Sequence, residues 1–96
     1  MQTPSNIPGA SAALIAALDA RDRFLANNRD TEARDMMSRA FLKVPAHEAR
    51  ACAVAIIKSD TADSAECLAF TLCIDTIATL EGARRDDVLA SLEAAA

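Results

Sequence analysis

Aromatic residues are scarce in this 96-residue sequence, which has three phenylalanines and no tryptophan or tyrosine. β-Sheets pack aromatic and β-branched side chains on their pleated surfaces, so this composition disfavours a β-fold. Alanine, the strongest helix former, is abundant instead. A chain of this length can bury one apolar core without a structural metal or a disulfide. These features predict a single all-α domain.

Cysteine, histidine and glycine are also few, and their spacing matches no common catalytic or metal site. The three cysteines show no C-x-x-C spacing, and the single histidine, His47, lacks the second histidine of a zinc-binding H-E-x-x-H helix. The two glycines cannot form a phosphate-binding loop, and the E-x-x-H pattern of a di-iron bundle is missing. The sequence therefore predicts a protein without enzymatic activity, cofactor or metal.

An export signal and a membrane span are not expected either. The apolar run at 10–18 has no lysine or arginine before it and no cleavage site before Asp19. The apolar stretch at 66–82 contains Glu66 and Asp75, which disfavour a membrane span. An odd number of cysteines without a repeated spacing is typical of reduced thiols. We therefore expect a cytoplasmic protein.

Positive charge is scarce in the second part of the chain. Residues 1–59 carry eight Lys/Arg against six Asp/Glu, whereas residues 60–96 carry two against eight. The last predicted helices therefore offer no basic face that reads a DNA groove, and a chain-wide basic footprint for phosphates is absent. Direct nucleic-acid binding is not expected.

The sequence does show helical periodicity. Apolar side chains recur at helical spacing in five segments that follow a proline-containing tail at 1–9. The segments are 10–27, 31–44, 45–59, 61–81 and 84–94. We expect a flexible tail and, over 10–96, one compact bundle of four to five short antiparallel helices.

Capping residues indicate where several of these helices begin and end. Asp30 is placed to cap the second helix, and Pro45 to occupy the first turn of the third. Asp60 or Thr61 is expected to cap the fourth helix. Gly82 provides a left-handed stop after the fourth helix.

The fourth segment has a competing interpretation as a strand, because apolar and polar residues alternate from Phe70 to Ile77. Only 51–57 resembles a second strand, and no glycine-rich turn joins the two, which favours a helix. On a helical wheel the apolar arc, which includes Cys73 and Leu80, covers roughly half of the circumference. We therefore expect this helix to be the most buried and the others to pack around it.

The thiols are predicted to be core residues. Cys73 lies in the middle of the apolar arc of the fourth segment, and Cys52 lies on the apolar face of the third. Cys67 is six residues before Cys73, so the two sulfurs point about 120° apart around one helix and cannot chelate one metal. A redox or metal role for these thiols is the less favoured alternative.

Acidic side chains are concentrated near the N-termini of the last two predicted helices. They are Asp60, Asp63, Glu66, Asp86 and Asp87, and Glu93 lies near the C-terminal end of the last helix. Together they could imitate nucleic acid and occupy a basic groove on another protein. Helix capping and the helix dipole explain most of them without any partner. Both interpretations remain open from the sequence.

Four other residues do not fit the pattern of a simple bundle. Arg21 falls within the apolar stripe of the first helix, and Leu42 projects from the polar side of the second. Arg84 and Arg85 stand at a helix N-terminus, where positive charge is unfavourable. Arginines and isolated exposed leucines are side chains that interfaces use. We therefore expect them, with Asp60, Asp63, Glu66, Asp86 and Asp87, to contact a partner.

A non-catalytic protein-binding module is the function that this sequence favours. A small acidic helical protein without a chemical site can act as an inhibitor or adaptor on a larger protein machine. A phage-type inhibitor of a nucleic-acid-processing complex, such as an anti-CRISPR protein, is one such case, and its partner would present a basic nucleic-acid-binding surface. The alternative is a homodimer or larger homo-oligomer formed through alanine-rich faces and the Met36–Met37 pair.

Overall fold

The computed structural model describes residues 9–27 and 30–96, which form five α-helices and contain no strand. The helices are α1 (Ala12–Ala26), α2 (Thr31–Leu42), α3 (Ala46–Lys58), α4 (Ser64–Glu81) and α5 (Arg85–Ala95). The all-α prediction is confirmed, and the strand interpretation of the fourth segment is wrong. Apart from Gly9, the predicted N-terminal tail lies outside the described residues.

Two helix pairs make up most of the bundle. Helix α1 packs against α2, and α3 packs against α4. Helix α4 also contacts α1, α2 and α5, while α5 lies against both α3 and α4. As its wide apolar arc predicted, α4 is therefore the helix around which the others are arranged. A direct consequence is that side chains on α4 meet groups from every other helix.

The core lies between the helix pairs and is lined by aliphatic, alanine and cysteine side chains with two phenylalanines. Its largest fully buried apolar side chains are Phe41, Leu14, Ile77 and Leu92. Leu80, placed in the apolar arc from the sequence, is 52% exposed because it belongs to the last turn of α4, beyond the packed core. None of the helices in the described part of the chain is long and apolar enough to cross a bilayer.

The ends of α4 are defined by two different caps. The Asp63 carboxylate accepts a hydrogen bond from the Glu66 N–H at 2.9 Å, so Asp63 caps the helix in place of the predicted Asp60 or Thr61. The helix accordingly begins at residue 64 and not 61. Gly82 adopts the predicted left-handed conformation, with a φ of 63°, and ends the helix.

Helices α2 and α3 begin without a side-chain cap. Asp30 occupies the predicted N-cap position of α2, but its side chain makes no capping hydrogen bond. Pro45 has an extended ψ of 143° and stands before α3, so this helix begins at Ala46. Helix α2 ends at Leu42, two residues before its predicted end. Tertiary packing therefore has a larger part in placing these two helices than their caps.

Side-chain contacts join helices that are distant in sequence. The guanidinium of Arg50 on α3 forms an ion pair with Glu81 on α4 and donates to the Ser91 hydroxyl on α5 at 3.2 Å. The buried Thr76 hydroxyl on α4 donates to the Phe41 carbonyl at the end of α2, at 2.9 Å. The first contact ties α3, α4 and α5 together, and the second fixes the C-terminal end of α2 against α4.

Candidate functional site

The predicted contact residues do not share one environment, because two of them are buried. Arg21 is 5% exposed and Glu66 is 2% exposed, so neither side chain reaches the surface of the folded domain. Arg21 lies within the apolar stripe of α1, as the sequence indicated, and is drawn inside with that stripe. We therefore remove both residues from the candidate surface.

Arg21 makes polar contacts although it is buried. Its guanidinium donates twice to the Asp22 carboxylate, at 3.0 and 2.8 Å, and reaches the Ala65 carbonyl at 3.5 Å. Asp22 itself is well exposed, so the charged pair lies at the border between core and solvent. The contact with Ala65 brings α1 to the first turn of α4, next to Glu66. Arg21 is therefore part of the internal structure at this end of α4.

The exposed acidic residues among the predicted contact residues divide into two groups at opposite ends of α4. Asp60 and Asp63 precede its first turn, and Asp86 and Asp87 follow its last turn in α5. A helix of 18 residues is about 27 Å long, at about 1.5 Å per residue. The acidic side chains therefore do not form one continuous patch, and only a long partner surface would touch both groups.

Two of the predicted contact residues, Leu42 and Arg85, meet beside α4 at Asp75. Leu42, at the end of α2, is 44% exposed and lines a hollow of about 230 Å³ with Leu72, Asp75 and Thr79 of α4. The Asp75 carboxylate pairs with the Arg85 guanidinium at 2.9 Å, which brings the start of α5 to the same place. Ser38 and Leu42 of α2, Leu72, Asp75 and Thr79 of α4, and Arg85 of α5 are called here the α2–α4 surface.

Local structure explains why Leu42 is exposed. Phe41 is 1% exposed, and its carbonyl accepts the hydrogen bond from Thr76, which fixes the last turn of α2. The following residue points about 100° away around the helix, out of the core. Arg84 occupies the N-cap position of α5 without a capping hydrogen bond, and Asp86 and Asp87 are exposed in the first turn. The surface thus has a leucine, an ion pair and an acidic rim.

A second exposed apolar region lies between α1 and α2. It is an open groove of about 460 Å³ with small side chains on its floor and Met36, 54% exposed, beside them. Arg23 and Asp19 of α1 are the charged groups that line it. The alanines of the floor are Ala16, Ala20, Ala33 and Ala40. Another helix can approach such a floor closely, so the groove is a candidate contact between copies of the chain.

Neither surface contains an arrangement typical of catalysis or metal binding. Within 9–27 and 30–96, no three His, Cys, Asp or Glu side chains are close enough to hold a metal ion. His47 is exposed at the start of α3, and its imidazole lies 4.0 Å from the Glu48 carboxylate. Cys67 is exposed, whereas Cys52 and Cys73 are buried as predicted. The α2–α4 surface therefore offers non-covalent contacts.

Comparison with models of protein families, with curated protein sequences and with solved structures finds no match to this chain. Inference about function consequently depends on the residues and surfaces of the chain itself.

Proposed function

We propose that this chain is a non-catalytic protein-binding module, a small acidic inhibitor or adaptor that docks on a larger protein machine. The observation that carries the proposal is the exposure of Leu42 beside the Asp75–Arg85 ion pair. A leucine among polar groups can enter an apolar cavity of a partner, where burial of its side chain is worth about 1.5–3 kcal/mol. The guanidinium supplies directed hydrogen bonds around that anchor.

The charge next to this surface favours a basic partner. Asp86 and Asp87 directly follow Arg85 and are exposed, so a partner that accepts Leu42 also meets two carboxylates. Complementary charge speeds the encounter and selects among partners. Proteins that handle nucleic acid carry such basic surfaces, which makes inhibition of a nucleic-acid-processing complex, as an anti-CRISPR protein does, the specific form of the proposal.

Recovery of partners from a host lysate tests the proposed surface. Tagged wild-type chain, Leu42→Asp and Ile15→Asp are used as baits, and the recovered proteins are quantified by mass spectrometry. Ile15 is 59% exposed on α1, outside the α2–α4 surface, so it is a matched control for adding a carboxylate to an exposed apolar position. We expect the specific partner to be lost with Leu42→Asp and retained with Ile15→Asp. Equal recovery with all three baits contradicts the proposal.

The contribution of acidic charge is measured separately. Asp86→Asn with Asp87→Asn removes the group near the α2–α4 surface, and Asp60→Asn removes a charge at the far end of α4. Asp63 is left intact because its carboxylate caps α4. We expect the first variant to bind the partner more weakly and with a smaller dependence on salt concentration. The second variant should have little effect on either quantity. Binding that is unchanged in both variants rules out the acidic mechanism.

A homo-oligomer is the alternative, and the α1–α2 groove is the observation that favours it. Its alanine floor and the exposed Met36 provide a small apolar area that a second copy can cover. Light scattering at micromolar concentration gives the mass in solution. A stable dimer that becomes a monomer on Met36→Glu supports this alternative, whereas a wild-type monomer excludes it at that concentration.

A further inference from the structure

The groove between α1 and α2 contains two opposite charges that do not pair with each other. Asp19 and Arg23 of α1 line it, and both side chains are exposed. Residues four positions apart lie on the same side of a helix, where an aspartate and an arginine can form an ion pair. Asp35 and Arg39 of α2 form such a pair, at 3.5 Å. Within the described residues, the side chains of Asp19 and Arg23 make no ion pair and no hydrogen bond. Both charges are therefore available to a partner.

The apolar part of this groove continues along α1 beyond the two charges. A second hollow of about 300 Å³ extends to Ala13 and shares Ala16, Met36 and Ala40 with the first. The distance between packed helices depends on the side chains at the contact, and alanines allow a short distance. Met36 is 54% exposed at the edge and can cover an approaching helix. The groove is thus open along most of α1.

The order of the two charges makes this face complementary to itself. In a two-fold dimer, residue i of one copy meets residue j of the other, and j meets i. If two copies of α1 lie antiparallel about an axis midway between Asp19 and Arg23, each Asp19 lies opposite the partner's Arg23. Ala16 then lies opposite the partner's Ala26, because these positions are equally distant from the axis. Both alanines are exposed in the single copy. One arrangement therefore pairs the charges twice and brings small side chains together.

We propose that the α1–α2 groove binds a second copy of the chain, with the two α1 helices antiparallel and two Asp19–Arg23 ion pairs that fix their register. This inference rests on the homo-oligomer alternative of the proposed function and identifies its contacts. It does not depend on the α2–α4 surface, because Met36 and Leu42 are six residues apart and point about 120° apart around α2. The dimer leaves the α2–α4 surface of each copy open.

The contact is short, so we expect a weak dimer. Helix α1 has 15 residues and is about 22 Å long, at about 1.5 Å per residue. One helix of this length with the edge of α2 should bury less than about 1,200 Å² in total, which is typical of transient complexes. Like charges placed opposite each other should therefore be sufficient to separate the two copies.

Exchange of the two charges tests the arrangement. Sedimentation equilibrium of the complete chain, from about 10 μM to about 1 mM, measures the dissociation constant. Wild type should shift from 10.1 kDa towards twice that mass. Asp19→Arg places arginine opposite the partner's Arg23, and Arg23→Asp places aspartate opposite the partner's Asp19. Each variant alone should raise the dissociation constant at least about tenfold. An equimolar mixture of both should dimerise again, because every contact then joins an arginine to an aspartate.

Two variants control for charge and for the other surface. Glu93→Arg changes the net charge as much as Asp19→Arg does, but it lies on α5, which packs against α3 and α4. It should dimerise like wild type, and so should Leu42→Asp. Circular dichroism establishes that each variant is folded. A wild type that remains monomeric at the highest concentration overturns the proposal, and so does loss of the dimer in either control.

The mixture separates this proposal from the general homo-oligomer alternative. If Met36→Glu dissociates the wild-type dimer but the mixture of folded Asp19→Arg and Arg23→Asp remains monomeric, the groove is used in another register. That result retains the alternative and overturns the antiparallel arrangement. Recovery of a partner through the α2–α4 surface is a separate measurement, and neither result changes it.

Discussion

Helix α4 departs from the apolar-inside pattern in opposite ways at its two ends. At the N-terminal end, Glu66 is 2% exposed, and the buried Arg21 of α1 reaches the carbonyl of the preceding residue, Ala65. At the C-terminal end, the apolar Leu80 is 52% exposed, and Leu42 of α2 is 44% exposed beside the same half of the helix. The N-terminal end thus encloses a polar group, whereas the C-terminal end leaves apolar side chains exposed.

This difference suggests that the N-terminal end of α4 stabilises the fold and that its C-terminal end is available for contacts with a partner. The N-terminal end contacts α1, where the buried Arg21 guanidinium donates to the Ala65 carbonyl. The C-terminal end contacts α2 through the buried Thr76 hydroxyl, α5 through the Asp75–Arg85 pair and α3 through the Arg50–Glu81 pair. Apolar side chains are left in solvent there. We therefore expect variants at the first end to change stability, and variants at the second to change binding.

The largest expected effect comes from Arg21→Ala compared with Leu80→Ala. The arginine substitution removes a buried stem, its hydrogen bonds and a positive charge near Glu66, and should lower the free energy of unfolding by about 3 kcal/mol. The leucine substitution removes an exposed side chain and should change it by less than about 0.5 kcal/mol. Urea denaturation followed by circular dichroism measures both. Equal losses for the two variants contradict the comparison.

The next effect concerns the hydrogen bond that positions Leu42. Thr76→Val keeps the shape of the side chain but removes the donor to the buried Phe41 carbonyl, and should cost about 1–2 kcal/mol. Thr79→Val, one turn later and exposed, is the matched control and should change stability by less than about 0.5 kcal/mol. The same urea titration compares them. A neutral Thr76→Val means that the hydrogen bond does not hold α2 against α4.

The fold was predictable because its determinants are local. Apolar spacing of 3.6 residues and the stop at Gly82 place five helices within about three residues of their observed bounds. The errors concern the N-cap and the last turn of α4. Asp63, not Asp60 or Thr61, caps α4, and Leu80 in the last turn is 52% exposed. A helical wheel gives the direction of a side chain but not the neighbour it meets.

The candidate surface was only partly predictable. Leu42 and Arg85 could be identified as anomalies of single helices, whereas their meeting at Asp75 requires the reversal of the chain at Gly82 and the packing of α2 on α4. Arg21 carried a clear signal, because an arginine in an apolar stripe is unusual, but that signal did not distinguish burial from contact with a partner.

A smaller effect is expected from the caps at the two ends of α4. Asp63→Ala removes the acceptor for the Glu66 N–H and should cost about 1 kcal/mol, whereas Asp60→Ala should be neutral. Gly82→Ala should also cost about 1 kcal/mol, because its φ of 63° is unfavourable for a side chain. A Cβ added at Gly82 would meet no heavy atom within 4 Å, so the cost is that of the backbone alone. Thermal unfolding compares the three, and a neutral Asp63→Ala contradicts the assigned cap.

The smallest effect is a pH dependence at Glu48, which occupies the first turn of α3 as Glu66 does in α4. Hydrogen bonds from Ser11, of which the backbone N–H bond is 3.0 Å, lower the pKa of Glu48 below its ordinary value. The folded state therefore favours the ionised form. This contribution is complete above the ordinary glutamate pKa of about 4.3 and is lost as the pH falls through the lower folded value.

Glu48→Gln should accordingly lower the melting temperature at neutral pH, and the difference from wild type should shrink below roughly pH 4, where the wild-type carboxylate becomes protonated. Thermal unfolding between neutral and acidic pH measures this difference. Glu93→Gln is the control, because it changes the net charge equally at an exposed position of α5. Ser11 is the N-cap of α1. A difference in melting temperature between Glu48→Gln and wild type that stays constant with pH would show that the Ser11 contact does not depend on the Glu48 charge.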